Sequence, residues 1–405
     1  MNAVGVDASK GKSTVVIMKP FGEIVKEPFE VAHTASDLKK LADLIKSLDG
    51  EARTIMENTG KYHLPIAKYL TDSGLYVSAV HAKLIHDYGN NSLRNVKTDK
   101  ADAMKIANYG LSNWQALKRW NEEDGLRVQL KMYSRQYHQY VKQRTMLKNN
   151  LISILDQTFP GINELFTSPA RDDGHEKWID FCMRFWHCEC VKKHSRKKFT
   201  TMYGAWCRKN GYQTCEKKAA EIYALAEQAI PTLPADTFTK QLIKIAATQL
   251  NAIAESSAKI HKTMHEMASL LPEFPVVMAM NGVGKTLGPQ LIAEIGDIRR
   301  FKKKESLVAF AGVDAPPYQS GNVDIKSRKI SKIGTAKLRR ALFLVMSSLL
   351  QNAPDDNVYR FLDRKRAEGK HYYSYMTAGC NKFLRIYYAR VKEYLNEIAQ
   401  KEKAA

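Results

Sequence analysis

The order of the β-type runs in the first 115 residues constrains the fold more than any other feature of this sequence. Short β-branched or alternating runs fall at residues 3–7, 13–18, 23–31, 54–57 and 76–80. Amphipathic helical patterns occupy residues 35–48 and 63–73, between the later runs. Three β-runs, a helix, a strand, a helix, a strand and further helix suit an α/β sheet of mixed direction.

That order is the ribonuclease-H-like arrangement, in which the first strand, the fourth strand and a later helix converge at one sheet edge. Two of the apolar runs end on an acid: "AVGVD" on Asp7 and "TIME" on Glu57. A carboxylate at the end of a buried strand is costly unless something pairs with it. The stretch "VKTDKADAMKIANYG", residues 96–110, adds Asp99 and Asp102 on one helix face. Capping would explain that stretch taken alone, since Thr98 is a fair N-cap and acids suit a first turn. Four carboxylates at one edge carry a charge of about −4, which repulsion makes hard to sustain. Two Mg²⁺ ions, with Mn²⁺ able to replace them, would cancel it. Held about 4 Å apart, such ions clamp the attacking and leaving oxygens of a phosphodiester. Asp7, Glu57, Asp99 and Asp102 are therefore the expected metal site, and His63 and His81 are read as ordinary polar residues.

From about residue 120 to 271 the β signal vanishes. Leu126, Leu130, Tyr133, Tyr137, Tyr140, Leu147, Leu151 and Ile154 recur at heptad-like spacing, interrupted by Arg144. A second such run is Ile243, Ala246, Leu250, Ile253, Ser257, Ile260, Met264, Met267 and Leu271. These predict two long helices, an antiparallel pair or a dimerising coiled coil, or helices buried against their own domain. Between them, residues 160–235 carry five of the six cysteines (Cys182, Cys188, Cys190, Cys207, Cys215) and Trp178, Trp186 and Trp206. The cysteine spacing lacks the paired C-x2-C of zinc ribbons, so buried thiols are favoured over a zinc site. The basic run "VKKHSRKKFTTMY", residues 191–203, interleaves cations with aromatics, a pattern suited to single-stranded nucleic acid or to a solvated charged face.

Charge narrows the partner. With 63 Lys+Arg against 42 Asp+Glu, the formal charge is +21, and phosphate backbone is the usual polyanion for such a surplus. Residues 341–350, the longest apolar run, hold two serines and are too short to span a bilayer. The opening "MNAVGVD" has no basic stretch before an apolar core, so neither a signal peptide nor a membrane partner is expected and the expected location is the cytoplasm.

After Pro272 the composition changes, and residues 272–398 read as a separate small helical domain, with 399–405 a tail. "NGVGKT" has Ala279 where a phosphate-cradling P-loop needs glycine, so no nucleotide cofactor is expected. The better reading of "VVMAMNGVGKTLGPQLIAEIG" is a helix-hairpin-helix, in which the turn glycines Gly282 and Gly284 and the cation Lys285 grip a DNA phosphate. Farther on, Ser320 precedes Gly321 in a loop and a basic block follows. Its candidate DNA contacts are Lys326, Arg328, Lys332, Arg339 and Arg340. Serine before glycine is ordinarily a turn, and no local Ser-His-Asp arrangement activates it.

Taken in order, "GVDASK", "MENTGKYH", "VKTDKADA", "MNGVGKTLGPQLIAEIG", "FAGVDAPPYQSG" and "KISKIGTAKLRRAL" make the sequence resemble the bridge-RNA-guided insertion-sequence transposases, the IS one-ten family. The resemblance covers roughly residues 1–115 and 272–398. It implies a RuvC-like N-terminal domain and a C-terminal transposase domain with a helix-hairpin-helix. It puts the family's four acids on Asp7, Glu57, Asp99 and Asp102 and its catalytic serine on Ser320. It also implies transesterification through phosphoserine, donor and target DNA chosen by a structured guide RNA, and composite sites in dimers that pair into tetramers. The location it implies is the nucleoid of a prokaryotic cell. The segment 160–235 has no counterpart in that pattern. Competing readings are a RuvC-like nuclease that hydrolyses branched DNA, and a non-catalytic nucleic-acid-binding protein.

Overall fold

The computed structural model describes residues 1–58, 60–89, 98–122, 124–316, 319–320, 323–324 and 329–404. The chain forms two compact units, Met1–Glu123 and Asp124–Ala405.

In the first unit, strands β1 (Asn2–Ser9), β2 (Lys12–Met18) and β3 (Ile24–Ala32) precede helix α1 (Ala35–Lys46). Strand β4 (Ala52–Glu57), α2 (Leu64–Asp72), β5 (Tyr76–Val80), α3 (Ala82–Gly89) and α4 (Asp99–Ser112) follow. The five strands make one mixed sheet in the order β3-β2-β1-β4-β5. The first three run antiparallel, while β1, β4 and β5 are parallel. Each parallel step needs a crossover, and α1 and α2 supply them. Val4, Val6, Val15, Ile17 and Met56 pack under α1 and α2, whereas Ala3, Val16 and Ile55 pack under α4. This is the mixed α/β sheet expected from the run order.

The second unit is helical apart from two short strands. Its elements are α5 (Gly125–Leu155), α6 (Lys177–Arg184), α7 (Glu189–Lys192), α8 (Arg196–Lys209), α9 (Glu216–Gln228) and α10 (Thr237–Ser269). Then come α11 (Phe274–Met278), α12 (Leu287–Ile295), α13 (Lys304–Ala311), β6 (Gln319–Ser320), β7 (Val323–Asp324), α14 (Ala336–Asn352), α15 (Asn357–Ala367) and α16 (Tyr372–Ala404). The two long helices α5 and α10 pack on each other within the chain. Leu130 shares a core with Met264, Ala268 and Leu271, and Leu151 and Leu155 share another with Ile243, Ala247 and Leu250, so the pair is antiparallel. The buried face differs from the apolar repeat of the sequence. Tyr133 is exposed, while Arg127, Ser134, Ala247, Asn251 and Ala254 are buried.

Arg127 explains part of that shift. It is 7 % exposed and meets Glu273, 2 % exposed, in a bidentate pair whose Nη2–Oε2 arm is 2.9 Å. Removing one partner strands a buried charge, so Glu273→Ala is expected to cost roughly 3–5 kcal/mol. The double replacement Arg127→Met with Glu273→Leu should recover most of it. Urea denaturation midpoints of the full chain check both; a wild-type midpoint for Glu273→Ala would refute the anchor.

Candidate active site

Alternation along a strand decides which face each acid joins. Gly5 and Ile55 face α4, so Asp7 and Glu57, two residues beyond them, fall on that face too. The parallel ladder aligns Val6 with Met56, which makes Asp7 and Glu57 the next residues on adjoining strands. Both therefore lie at the same end of the sheet.

Helix α4 reaches them because the sheet lets it in. A Cβ on Gly5 would sit 2.3 Å from the Ala103 carbonyl oxygen and 2.7 Å from the Ala107 nitrogen. One on Gly110 would sit 2.5 Å from Ile55 Cδ1. With both side chains absent, α4 lies directly on β1 and β4 and brings its first turn over the strand ends. Thr98 caps that turn, its Oγ1 accepting the Ala101 N–H at 3.2 Å. Capping is thus the work of Thr98, and neither aspartate performs it.

Asp7, Glu57 and Asp102 line one cavity of about 600 Å³, with Lys83, His86, Asp87 and Lys105. Asp99 lines the neighbouring cleft, beside Thr14, Glu30 and Thr98. Its charge still reaches the first cavity. The Asp7 carboxyl is pushed up to about 6, first by burial and then by the negative charges of Asp102, Asp99 and Glu57. The charges of the other three acids are thus felt at Asp7. Among the described residues no three His, Cys, Asp or Glu side chains are gathered tightly enough to grip a metal as they stand. In chemistry the set fits a hard divalent cation, being all carboxylate oxygen with a charge that resists close approach. Lys83, His86 and Lys105 escaped the sequence reading. The one available signal was the i,i+3 spacing of Lys105 from Asp102.

In the second unit, Ser320 pairs with Val323 across the two-residue ladder of β6 and β7. Lys326 and Arg328 lie outside the described residues. The turn between α11 and α12 holds Gly282 at φ +79°, where a Cβ would meet Leu349 Cγ at 2.8 Å, so glycine is required there. Gly284 and Lys285 are exposed, and Thr286 Oγ1 lies 2.9 Å from His261 Nε2. Lys332 is exposed, whereas Arg339 turns inward and donates to the Ala311 carbonyl at 3.0 Å. Arg340 is exposed and contacts His138 of α5.

The four acids and Ser320 fall inside segments that match two family models. A family model for IS110 DEDD transposases, described as "Transposase", matches residues 4–160. A second, described as "Transposase IS116/IS110/IS902 family", matches residues 275–360. The chain carries IS110/IS116/IS902 transposase domains.

Relatives align along nearly the whole chain. The "Insertion element IS110 uncharacterized 43.6 kDa protein" of Streptomyces coelicolor is 20% identical over 91% of this chain and 88% of its own length. The "Mini-circle putative transposase for IS117" of the same organism is 22% identical, over 94% and 91% respectively. The "Pilin gene-inverting protein" of Moraxella bovis is 23% identical, over 84% and 80%. The first IS110-type match takes in all of α5 and ends just beyond it, at residue 160, and the second begins in α11 and ends in α15.

Between the two transposase matches, the basic-aromatic run must be corrected. Phe199 and Tyr203 are 0% and 1% exposed, packed with Phe181, Phe185 and Trp206. Bases cannot stack on rings enclosed in a core. Arg196, Lys197 and Lys198 remain at the surface as a charged face alone. Cys182, Cys188 and Cys207 are buried in the same core, and burial pushes the Cys182 thiol up, away from the thiolate a metal needs. Among the described residues, no helix is long and apolar enough to cross a membrane.

Proposed function

We propose that the protein is a DNA recombinase of an insertion sequence that cuts and rejoins strands, with Ser320 as nucleophile and Asp7, Glu57, Asp99 and Asp102 as divalent-metal ligands. The observation that carries this reading is the common field of the four acids at Asp7, at the end of a sheet ordered β3-β2-β1-β4-β5. That order supports a ribonuclease-H-like, RuvC-type catalytic domain in residues 1–115. Residues 116–271 are then a long-helix region, and 272–398 a transposase domain whose α11–α12 turn is a helix-hairpin-helix. The printed name of the Moraxella relatives supports rearrangement of DNA over simple hydrolysis.

Magnesium bound by the four carboxylates would supply positive charge to the attacking and leaving oxygens of the phosphodiester. Ser320 Oγ bonds to phosphorus while the bond to the departing sugar oxygen breaks, and the serine proton ends on that sugar hydroxyl. A second sugar hydroxyl then attacks the phosphoserine and returns the serine. Each stage exchanges one phosphorus–oxygen bond for another, so no nucleotide cofactor is needed. Gly282, Gly284 and Lys285 hold a neighbouring phosphate without reading bases. The resemblance noted above supports guidance by a bridge RNA and assembly of dimers into tetramers, with the acids of one protomer serving the serine of another.

The test is the covalent link. On a nicked DNA substrate the wild-type protein should leave a protein–DNA adduct that survives denaturant. Ser320→Ala should leave none and still bind the DNA within about twofold of wild type. An undiminished adduct in that variant would remove Ser320 from the mechanism. Free DNA ends with no adduct from the wild type would favour hydrolysis by activated water.

A further inference from the structure

We propose that a single DNA strand lies along the outer face of α14, its phosphates held by Lys337 and Arg340 with Arg135 and Lys142 of α5, and its bases stacked on Tyr372 and Tyr373. This rests on the reading that the protein acts on DNA, and adds where an unpaired strand is held.

The basic end of the track is over-supplied with positive charge. Lys337 and Arg340 are exposed one helical turn apart near the N-terminus of α14, where the helix dipole adds to their field. They share a small cleft with Ser134 and His138 of α5. Lys337 and His138 are both held below their ordinary proton affinity, first by burial. Arg135 and, more weakly, Lys142 also repel the proton of Lys337, and Arg340, Lys142 and Lys337 that of His138, while Glu294 acts in the opposite direction on both. Glu294, the acid lining this cleft, is 2 % exposed and already engaged, with Arg135 Nε at 3.5 Å and the Thr335 hydroxyl at 3.2 Å. Four cations, Arg135, Lys142, Lys337 and Arg340, around one acid leave a net positive cluster that is complementary to a polyanion.

The aromatic end begins one turn farther on. Phe343 and Leu344 continue the stripe from Arg340 at i+3 and i+4, about 9 Å along the axis from Lys337. The Phe343 ring lies 6.4 Å from that of Tyr373. Tyr373 is 64% and Tyr372 44% exposed, their rings 5.2 Å apart at 79°, with exposed Lys370 and His371 beside them. Unlike Phe199 and Tyr203, these rings are open to solvent and available to a base. Duplex bases hide their faces in the stack, so the rings suit an unpaired strand.

The experiment is fluorescence anisotropy of the full chain in EDTA with labelled oligo(dT) and a duplex of equal length. Replacing both tyrosines by alanine should weaken oligo(dT) binding about tenfold to a hundredfold and change duplex binding less than twofold. The paired Tyr372→Phe and Tyr373→Phe variant keeps the rings and should bind oligo(dT) normally. Lys142→Gln should weaken both ligands and lower the salt slope by about one. Wild-type oligo(dT) binding by the alanine pair would overturn the proposal. So would equal loss on duplex or failure of the phenylalanine pair. These binding arms need neither metal nor strand cutting, so a failure of the carboxylate reading in a recombination assay leaves them to judge the track alone.

Discussion

Asp7→Asn is expected to make the metal-free protein more stable while removing roughly 10²–10³-fold or more of its strand-cutting activity. The Asp7 carboxyl rises from an ordinary 3.8 to about 6 in the folded chain, by burial and then by Asp102, Asp99 and Glu57. Between those values the folded chain holds a proton that the unfolded chain has released. The stability this group contributes is therefore fully present below pH 3.8 and is lost as pH rises through about 6. At pH 8 without a divalent ion, the wild type carries a strained carboxylate that asparagine lacks. The full shift would correspond to about 3 kcal/mol, but Asp7 is only half-buried and solvent screening reduces this to about 1 kcal/mol. A rise in melting temperature of roughly 3 °C should follow in EDTA. Adding Mn²⁺ should stabilise the wild type and do little for the variant. Calorimetry at pH 8 and pH 5 checks the sign, because the advantage of the variant should shrink at the lower pH. A variant less stable than wild type in EDTA at pH 8 would show that the acids do not share one field.

Gly5→Ala should be among the most damaging single-methyl changes in the first unit. Its Cβ would lie 2.3 Å from the Ala103 carbonyl and 2.7 Å from the Ala107 nitrogen, and both are backbone atoms of a buried helix that cannot rotate away. The helix must lift from β1, at a cost of about 1–3 kcal/mol. More consequentially, Asp99 and Asp102 ride on the first turn of that helix. A displacement near 1 Å at a reacting centre can cost about 10²-fold in rate, so activity should fall by about that factor even where the protein remains folded. Circular dichroism melts and strand-cutting rates on one preparation separate the two effects. Gly11→Ala makes a useful contrast, because a Cβ there meets nothing within 4 Å and the strain of its positive φ acts outside the acid cavity. Native activity in Gly5→Ala would mean that α4 does not position the acids.

How much was readable beforehand follows from where each signal resides. The five strands and two crossover helices came from short-range periodicity and chain order. Acids ending "AVGVD" and "TIME" stand out locally, because a charge closing an apolar run is unusual wherever the run folds. Thr98 as the N-cap of α4 was equally local. The basic-aromatic run of residues 191–203 misled because exposure is not a local property: Phe199 and Tyr203 are buried by α6 and its neighbours. Arg339 and Arg340 are adjacent in sequence, yet one is spent on the Ala311 carbonyl and the other faces out beside His138.

The sequence by itself determined the order of elements, the positions of the acids on strand ends and on a helix start, and the surplus of positive charge. Pleat alternation, capping chemistry and composition need only neighbours along the chain. Tertiary structure alone decided how closely α4 meets β1, that Arg127 is buried against Glu273, and that Tyr372 and Tyr373 are the open aromatics beside a crowded basic cluster. Those outcomes depend on which distant segments arrive at a surface and exclude water from it.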